Sequence, residues 1–442
     1  MKIIHLVYVL LVTLSLVQLC ISEPANGKTD SSLAEWLDEN TPQFADLYKE
    51  LHGTPELSLE EIKTAAKMAK KLREFGFEVT EHIGGHGVVG VLKNGDGPTL
   101  LLRADMDALP VVEETGLPYA SEVRTKDERG ATVGVMHACG HDMHMTMLLA
   151  SLDYLSSHRA AWQGTLVAIF QPAEERGAGA QAMIADGLLT KFPRPGFALA
   201  LHVSADRAAG KLGIGSGHTQ ANVDSVDITI RGRGGHGAWP HQTIDPVVIA
   251  AKLILDLQTI VSRELDPTEP AVITVGSIHG GTKHNIIGDE CKLQLTVRTY
   301  SDESRSHIAE AIRRKASAAA ASAGAPEPTV EHSEGTPSLF NDPELADRLR
   351  PVLGNALGEE NIEVMKPSMG GEDFGRYGRA GVPILMMSVG SVSQERLEKY
   401  KSSGGVPSLH SAKYYPDIEP TLLTGVTTLV RATEDLLPPA SR

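Results

Sequence analysis

Cysteine is scarce in this chain, at three in 442 residues, which excludes a small scaffold held together by disulfides. Positive charge is in deficit: 41 Lys and Arg against 56 Asp and Glu leave a formal net charge of −15. A surface that acidic repels phosphate backbones and anionic headgroups, so neither nucleic acid nor a membrane surface is a favoured partner. Hydrophobic residues at 41% and charged residues at 22% are ordinary for a soluble globular protein and exclude wholesale disorder and a multispanning membrane protein. The length predicts two or three domains at roughly 150 residues each. Histidine, in contrast, is plentiful at 17, which points toward metal or acid–base chemistry.

The single long apolar stretch stands at the start. Met1-Lys2 is a short positive beginning, Ile3 to Leu19 is almost wholly apolar, and Cys20-Ile21-Ser22 offers small residues around a cut after Ser22. Residues 1–22 are expected to be a secretory signal peptide, giving a secreted or periplasmic protein. A membrane anchor is the competing reading, because a run of about 17 residues barely spans a bilayer. Cys139 and Cys291 would remain after cleavage. An oxidising compartment draws surface cysteines into disulfides, so each needs another role.

From about Asp30 onward apolar periodicity alternates between helix and strand. Ser58-Leu59-Glu60-Glu61 has the form of a capping box opening an amphipathic helix that runs through Phe75 and stops at Gly76. Strands are expected at Val88–Leu92, Thr99–Arg103, Gly164–Phe170 and Ala198–His202, with helices at Met145–Ser156 and near Ala178–Asp186. This alternation predicts an α/β fold, a sheet with helices on both faces. The texture then changes: strand Val223–Arg231, helix Pro246–Val261, strands Ala271–Ile278 and Cys291–Thr299, an Ala-rich helix Ser306–Ala321 and a strand at Thr329–Ser333. That order is the ferredoxin-like α+β pattern. The chain is therefore divided into a first catalytic part over 30–220, an inserted lid over 221–334 and a second catalytic part over 335–437. Alternate residues Cys291, Leu293, Leu295 and Val297 form one apolar strand face, which makes Cys291 a core residue.

Chemistry-bearing residues gather in five places. His137-Ala138-Cys139-Gly140-His141-Asp142-Met143-His144 precedes an apolar helix, and thiolate, imidazole and carboxylate packed this closely suit a transition metal. Cys139 and His141 cannot share a helical face at that spacing; they must converge from a turn, and Gly140 permits one. Gln171-Pro172-Ala173-Glu174-Glu175 follows an apolar strand. Of two adjacent carboxylates there, one can ligate metal while the other serves as general base. His202 ends another apolar strand, and His410 lies in a Gly/Pro-rich loop; either alone is as ordinary as any core or loop histidine. Arg103 to Pro110 places Asp105 and Asp107 at a strand exit.

Taken with Gly-Gly-His-Gly-Ala-Trp-Pro-His at 234–241 and Gly-Gly-Glu-Asp-Phe at 370–374, these segments resemble the aminoacylase/carboxypeptidase family of dinuclear metallohydrolases. The nearest branch holds hippurate hydrolases, N-acyl-amino-acid amidohydrolases and plant auxin-conjugate amidohydrolases. The resemblance runs from about residue 35 to 430 with the motifs in order. It implies a zinc-peptidase-like, two-domain fold with a mixed sheet, and a homodimer formed through the lid. It also implies two divalent transition metal ions per subunit (Zn, Mn, Co or Ni), held by Cys139, His141, Glu175, His202 and His410, with Glu174 as general base. Other branches carry His-x-Asp where this chain has Asp105-Met106-Asp107, so Cys139 is expected to replace the missing ligand as a bridge. Asp105 and Asp107 then support the ligands from behind. The implied activity is amide hydrolysis of N-acyl amino acids; the alternatives are a metallocarboxypeptidase acting on short peptides and, more remotely, a non-catalytic binding protein on the same scaffold.

Gly232-Arg233-Gly234-Gly235-His236-Gly237 also matches the dinucleotide fingerprint, which would make the protein an oxidoreductase. That fingerprint needs a helix starting at the glycines. Here Trp239-Pro240 follows, and the next helix is expected only near Asp245. The family resemblance instead makes His236 an oxyanion donor to the partner subunit's site. Asn285 and Arg298 are candidates for holding a substrate carboxylate, Arg298 through a bidentate fork.

Overall fold

The structure is a computed structural model that describes residues 31–127, 129–402 and 404–440. The expected signal peptide lies outside the described residues. Among the described residues no helix is long and apolar enough to cross a membrane.

Helices α1 (Ser31–Gly53) and α2 (Ile62–Glu74) lead into strands β1 (Glu78–Ile83), β2 (Gly87–Asn94) and β3 (Thr99–Asp105). Helix α3 (His141–Ser157), β4 (Gly164–Gln171), α4 (Gly179–Ala185), β5 (Phe197–Ala208) and β6 (Leu212–Ile214) follow. The inserted segment supplies β7 (Asn222–Arg231), α5 (Pro246–Thr259), β8 (Ala271–Gly280), β9 (Glu290–Thr299), α6 (Asp302–Ser322) and β10 (Thr329–Glu334). The chain closes with α7 (Pro343–Leu357), β11 (Ile362–Val364), β12 (Ile384–Val392) and α8 (Ile418–Leu436).

Two sheets organise these elements. The larger has eight strands in the order β1-β2-β4-β3-β5-β12-β6-β11. Its centre is parallel, β4 with β3, β3 with β5 and β5 with β12, while β1, β2 and β6 introduce antiparallel pairs. It is a mixed sheet, as expected. Leu100, Leu102, Leu166, Ala168 and Leu199 bury one face beneath α1, α3 and α8, and Leu101, Val167, Ile169, Ala198 and Ala200 bury the other beneath α4. The smaller sheet has the order β8-β9-β7-β10, antiparallel throughout, with α5 and α6 packed on it. In chain order that is the ferredoxin-like arrangement. Cys291 is fully buried in the core of this sheet, and Cys139 and Cys291 are both unpaired.

Several local expectations need correction: β5 runs on to Ala208 instead of ending at His202, and α6 starts at Asp302 rather than Ser306, because the Ser301 side chain caps it by accepting from the Ser304 amide. Ser58-Leu59-Glu60-Glu61 is not a capping box: α2 begins at Ile62 with no side-chain cap. The Ser58 hydroxyl instead donates to Asp107, and Glu61 accepts from the Leu59 and Ala173 amides. Helix α3 starts at His141 rather than Met145, because the Gly140 carbonyl already accepts from the Met143 and His144 amides. Helix α5 ends at Thr259, and Ile260–Glu264 continues as a π-helical turn. Gly76 does stop the α2 segment in the left-handed conformation, at φ 82°.

Candidate metal centre

The parallel strands β3, β4 and β5 bring their chemistry to one region, β3 and β4 at their exits, where α/β sheets build sites, and β5 through His202 within the strand. Asp105, the last residue of β3, stands in register with Gln171, the last of β4. Both precede the turns that carry Asp107 and Glu174-Glu175. Gly140, at φ 82°, lets Cys139 and His141 turn toward each other as α3 begins.

These turns supply Cys139, His141 and Glu175, and His202 within β5 and His410, in a turn near the C-terminus at φ 69°, complete the five expected ligands. Cys139 Sγ lies 3.6 Å from His202 Nε2. His141 Nε2 lies 3.9 Å from Glu175 Oε1, and His410 Nε2 lies 3.4 Å from the same oxygen. Two groups of metal-binding geometry result, Cys139-His141-His202 and Cys139-Glu175-His410, and Cys139 is the member they share. Cys139 would thus be within reach of an ion in either group, and His141 also groups with Glu174 and Glu175.

His141 is fully buried and, among the described residues, neither ring nitrogen finds a hydrogen-bond partner, although Asp107 Oδ1 lies 3.4 Å from Nδ1. Glu175 Oε1 is likewise buried without a donor. Buried polar atoms left unpaired cost about 1–3 kcal/mol each; a cation at the centre of the cluster satisfies them together. Burial pushes the Cys139 thiol up, and a nearby metal ion reverses that by deprotonating a coordinating thiol outright. A mixed S, N and O donor set of this kind suits a transition metal. The residues present therefore fit a metal pair.

Supporting groups fix the ligands from behind. His202 Nδ1 donates to the Val203 carbonyl, which leaves Nε2 for coordination. The Val203 amide donates to His144 Nε2, so His144 carries its proton on Nδ1 and donates to Asp105 at 2.7 Å. Burial holds the His144 ring down at about 4, in the neutral form. Asp107 accepts from the Glu174 and Glu175 amides at 3.1 and 3.0 Å and thereby shapes the turn that presents both carboxylates.

Glu174 is buried with its Oε2 3.9 Å from His141 Nε2. It also stands against Glu372 and Asp373. Burial, and then those two like charges, raise its carboxyl well above the ordinary range. The fully buried Arg103 counterbalances the cluster, bonding Asp105, Glu372 and Asp373 at 2.7, 2.8 and 3.1 Å. The sequence motifs contained Arg103, His144, Glu372 and Asp373 but gave no sign of these roles, which depend on segments about 270 residues apart. His52, which from α1 bonds Asp142 beside His141 and Glu113, was missed altogether.

Three expected residues lie on the inserted segment. His236 is exposed, paired through Gly235–His236 with Ile286–Ile287 and tilted against Trp239. Its Nδ1 accepts from the Ala238 amide, which puts the proton of the neutral ring on Nε2, as a donor. Asn285 is exposed beside it, its carbonyl accepting from Gly237. Neither bonds to the donor cluster within the chain. No helix starts at Gly232–Gly237, so the dinucleotide geometry is absent from that described segment. Arg298 is half-buried, its Nε donates to Thr296 Oγ1, and its Nη1 lies 3.6 Å from where a Cβ on Gly371 would stand. It thus reaches the loop that carries Glu372.

Comparison with known proteins agrees with this geometry. Residues 101–434 match the family described as Peptidase family M20/M25/M40. A hippurate hydrolase of Campylobacter jejuni is 40% identical over 76% of this chain and 85% of its own. Thermostable carboxypeptidase 2 of Saccharolobus solfataricus is 33% identical over 87% of this chain and 94% of its own. Among solved structures, a dinuclear metal-binding peptidase from the M20 family of Bacillus subtilis superposes with a TM-score of 0.74 at 29% identity, covering 91% of this chain and 99% of that one.

Proposed function

Since the chain belongs to peptidase family M20/M25/M40 and is a metal-dependent hydrolase of amide bonds, we propose that it hydrolyses N-acyl amino acids with Glu174 as general base. The observation that carries this is the pair of donor groups sharing Cys139 around a buried, hydrogen-bond-free His141, with a raised carboxyl beside it. Cys139, His141, Glu175, His202 and His410 would hold the two metal ions. Bound there, divalent ions lower the pKa of water and polarise the amide carbonyl.

The chain's own groups do the rest. Glu174, its carboxyl raised well above the ordinary range by burial, Glu372 and Asp373, takes the proton of the attacking water and returns it to the amide nitrogen as the C–N bond breaks. His236 donates from Nε2 to the developing oxyanion. That donor belongs to the partner subunit of a two-fold dimer formed through the lid, whose outer strand β8 and helix α5 expose Ile278, Val247, Val248 and Leu255. Asn285 and Arg298 read the free carboxylate of the substrate. The lid spans 221–334, between catalytic parts 30–220 and 335–437. Residues 1–22 are a leader cut near Ser22, so the mature protein begins near Glu23 outside the cytoplasm.

Cleavage of short peptides from their carboxyl end is the second reading, favoured by the carboxypeptidase relative. Hydrolysis of N-acetyl and N-benzoyl amino acids and of dipeptides, after chelation and reloading with Zn, Mn, Co or Ni, decides between them. Acyl amino acids should turn over fastest, and the chelated protein not at all. Preference for dipeptides would favour the second reading, and activity without metal would overturn both.

A further inference from the structure

We propose that Glu61 is a positioning residue that holds the turn bearing Glu174 and Glu175 in its working shape, a role that rests on Glu174 being the general base. Glu61 is fully buried. Its Oε1 accepts from the Ala173 amide at 2.8 Å and from the Leu59 amide at 3.0 Å. Both partners hold backbone conformations that side chains resist: Leu59 stands at φ 71° and Ala173 at φ 51°. Such residues persist only where their surroundings over-determine them.

Ala173 immediately precedes Glu174, so its backbone torsions set the direction in which Glu174 leaves the strand. Behind it the turn closes on itself, with the Ala178 and Gly179 amides donating to the Ala173 carbonyl and Gly177 to that of Glu174. Three successive amides, of Ala173, Glu174 and Glu175, thus end on two buried carboxyls, the first on Glu61 and the others on Asp107. Helix α2 takes no cap from Glu61. Among the described residues the other oxygen of the group has no hydrogen-bond partner, and burial together with Asp107 raises its carboxyl to about 7. A carboxyl kept in such surroundings opposes folding. What it supplies in return is the left-handed turn before the base.

The test compares Glu61→Met, which removes the acceptor at similar length, with Glu61→Gln, which keeps it. The folded, metal-loaded Met variant should lose roughly tenfold in kcat, the scale of one strained backbone residue, at unchanged KM and metal content. Hydrogen exchange at the Ala173 amide should quicken. Glu61→Gln should stay near wild type. Adding Ala173→Gly to the Met variant should restore kcat, because glycine enters the left-handed region freely; adding Leu59→Gly should not. If Glu61→Met does not fold, Glu61→Asp, too short to reach Ala173, carries the same comparison. Full activity in Glu61→Met, no rescue by Ala173→Gly, or equal rescue by Leu59→Gly would overturn the proposal. Glu174→Gln in the same assay separates the two ideas: an active Glu174→Gln removes the base assignment, while an inactive one with no rescue removes only the role of Glu61.

Discussion

His52, on α1, joins three segments that are distant in sequence. It is 1% exposed, with Nδ1 2.7 Å from Asp142 and Nε2 3.0 Å from Glu113. Burial opposes charge on the ring, but the hydrogen bonds to Asp142 and Glu113 outweigh it and raise the group from 6.5 to about 9. A folded pKa above the unfolded one means stability that is complete below about 6.5 and lost as pH rises through about 9. The shift corresponds to roughly 3 kcal/mol. Thermal melts of the wild type should therefore decline between these values beyond the trend of a His52→Gln variant, which should start lower and change less. Parallel curves would contradict the charged clamp. No sequence signal marks His52, because its partners lie 61 and 90 residues away. Cys139 and His141 were legible for the opposite reason, their chemistry being packed into one short segment.

At the scale of elements, the apolar runs of β3, β4 and β9 announced themselves, and so did the strand–helix order of the lid. The start of α2 did not. Ser58 and Glu61 have the local form of a cap, but tertiary partners, Asp107 and Ala173, claim both side chains. The start of α3 depends on Gly140, where an added Cβ would stand 2.6 Å from Val203 Cγ2. Gly140→Ala should thus combine a left-handed penalty of about 1–2 kcal/mol with a clash against the residue following His202. The expected outcome is a lower urea midpoint for the metal-free protein and weaker metal binding, measured by titration. Unchanged affinity would show that the turn does not set the spacing of Cys139 and His141.

For the whole molecule, His236 is the residue whose role the single chain leaves incomplete. It is a donor on an exposed ribbon, unbonded to the donor cluster of its own chain. His236→Ala and Glu174→Gln should each be nearly inactive. Dissociated together and re-formed in equal amounts, half the dimers are mixed, and one site in each combines an intact Glu174 with a partner's intact His236. Recovery should approach about a quarter of wild-type activity for an isologous dimer. No recovery, with exchange verified by mass labelling, would place His236 within its own chain or outside catalysis.

The proposed division of labour between Glu174 and Glu175 is tested by paired metal analysis and turnover of their glutamine variants. Glu174→Gln should retain the wild-type metal content while losing at least ~10²-fold in kcat, the usual worth of a general base. Glu175→Gln should instead lose metal. Metal loss in Glu174→Gln, with metal retained in Glu175→Gln, would contradict the assignment.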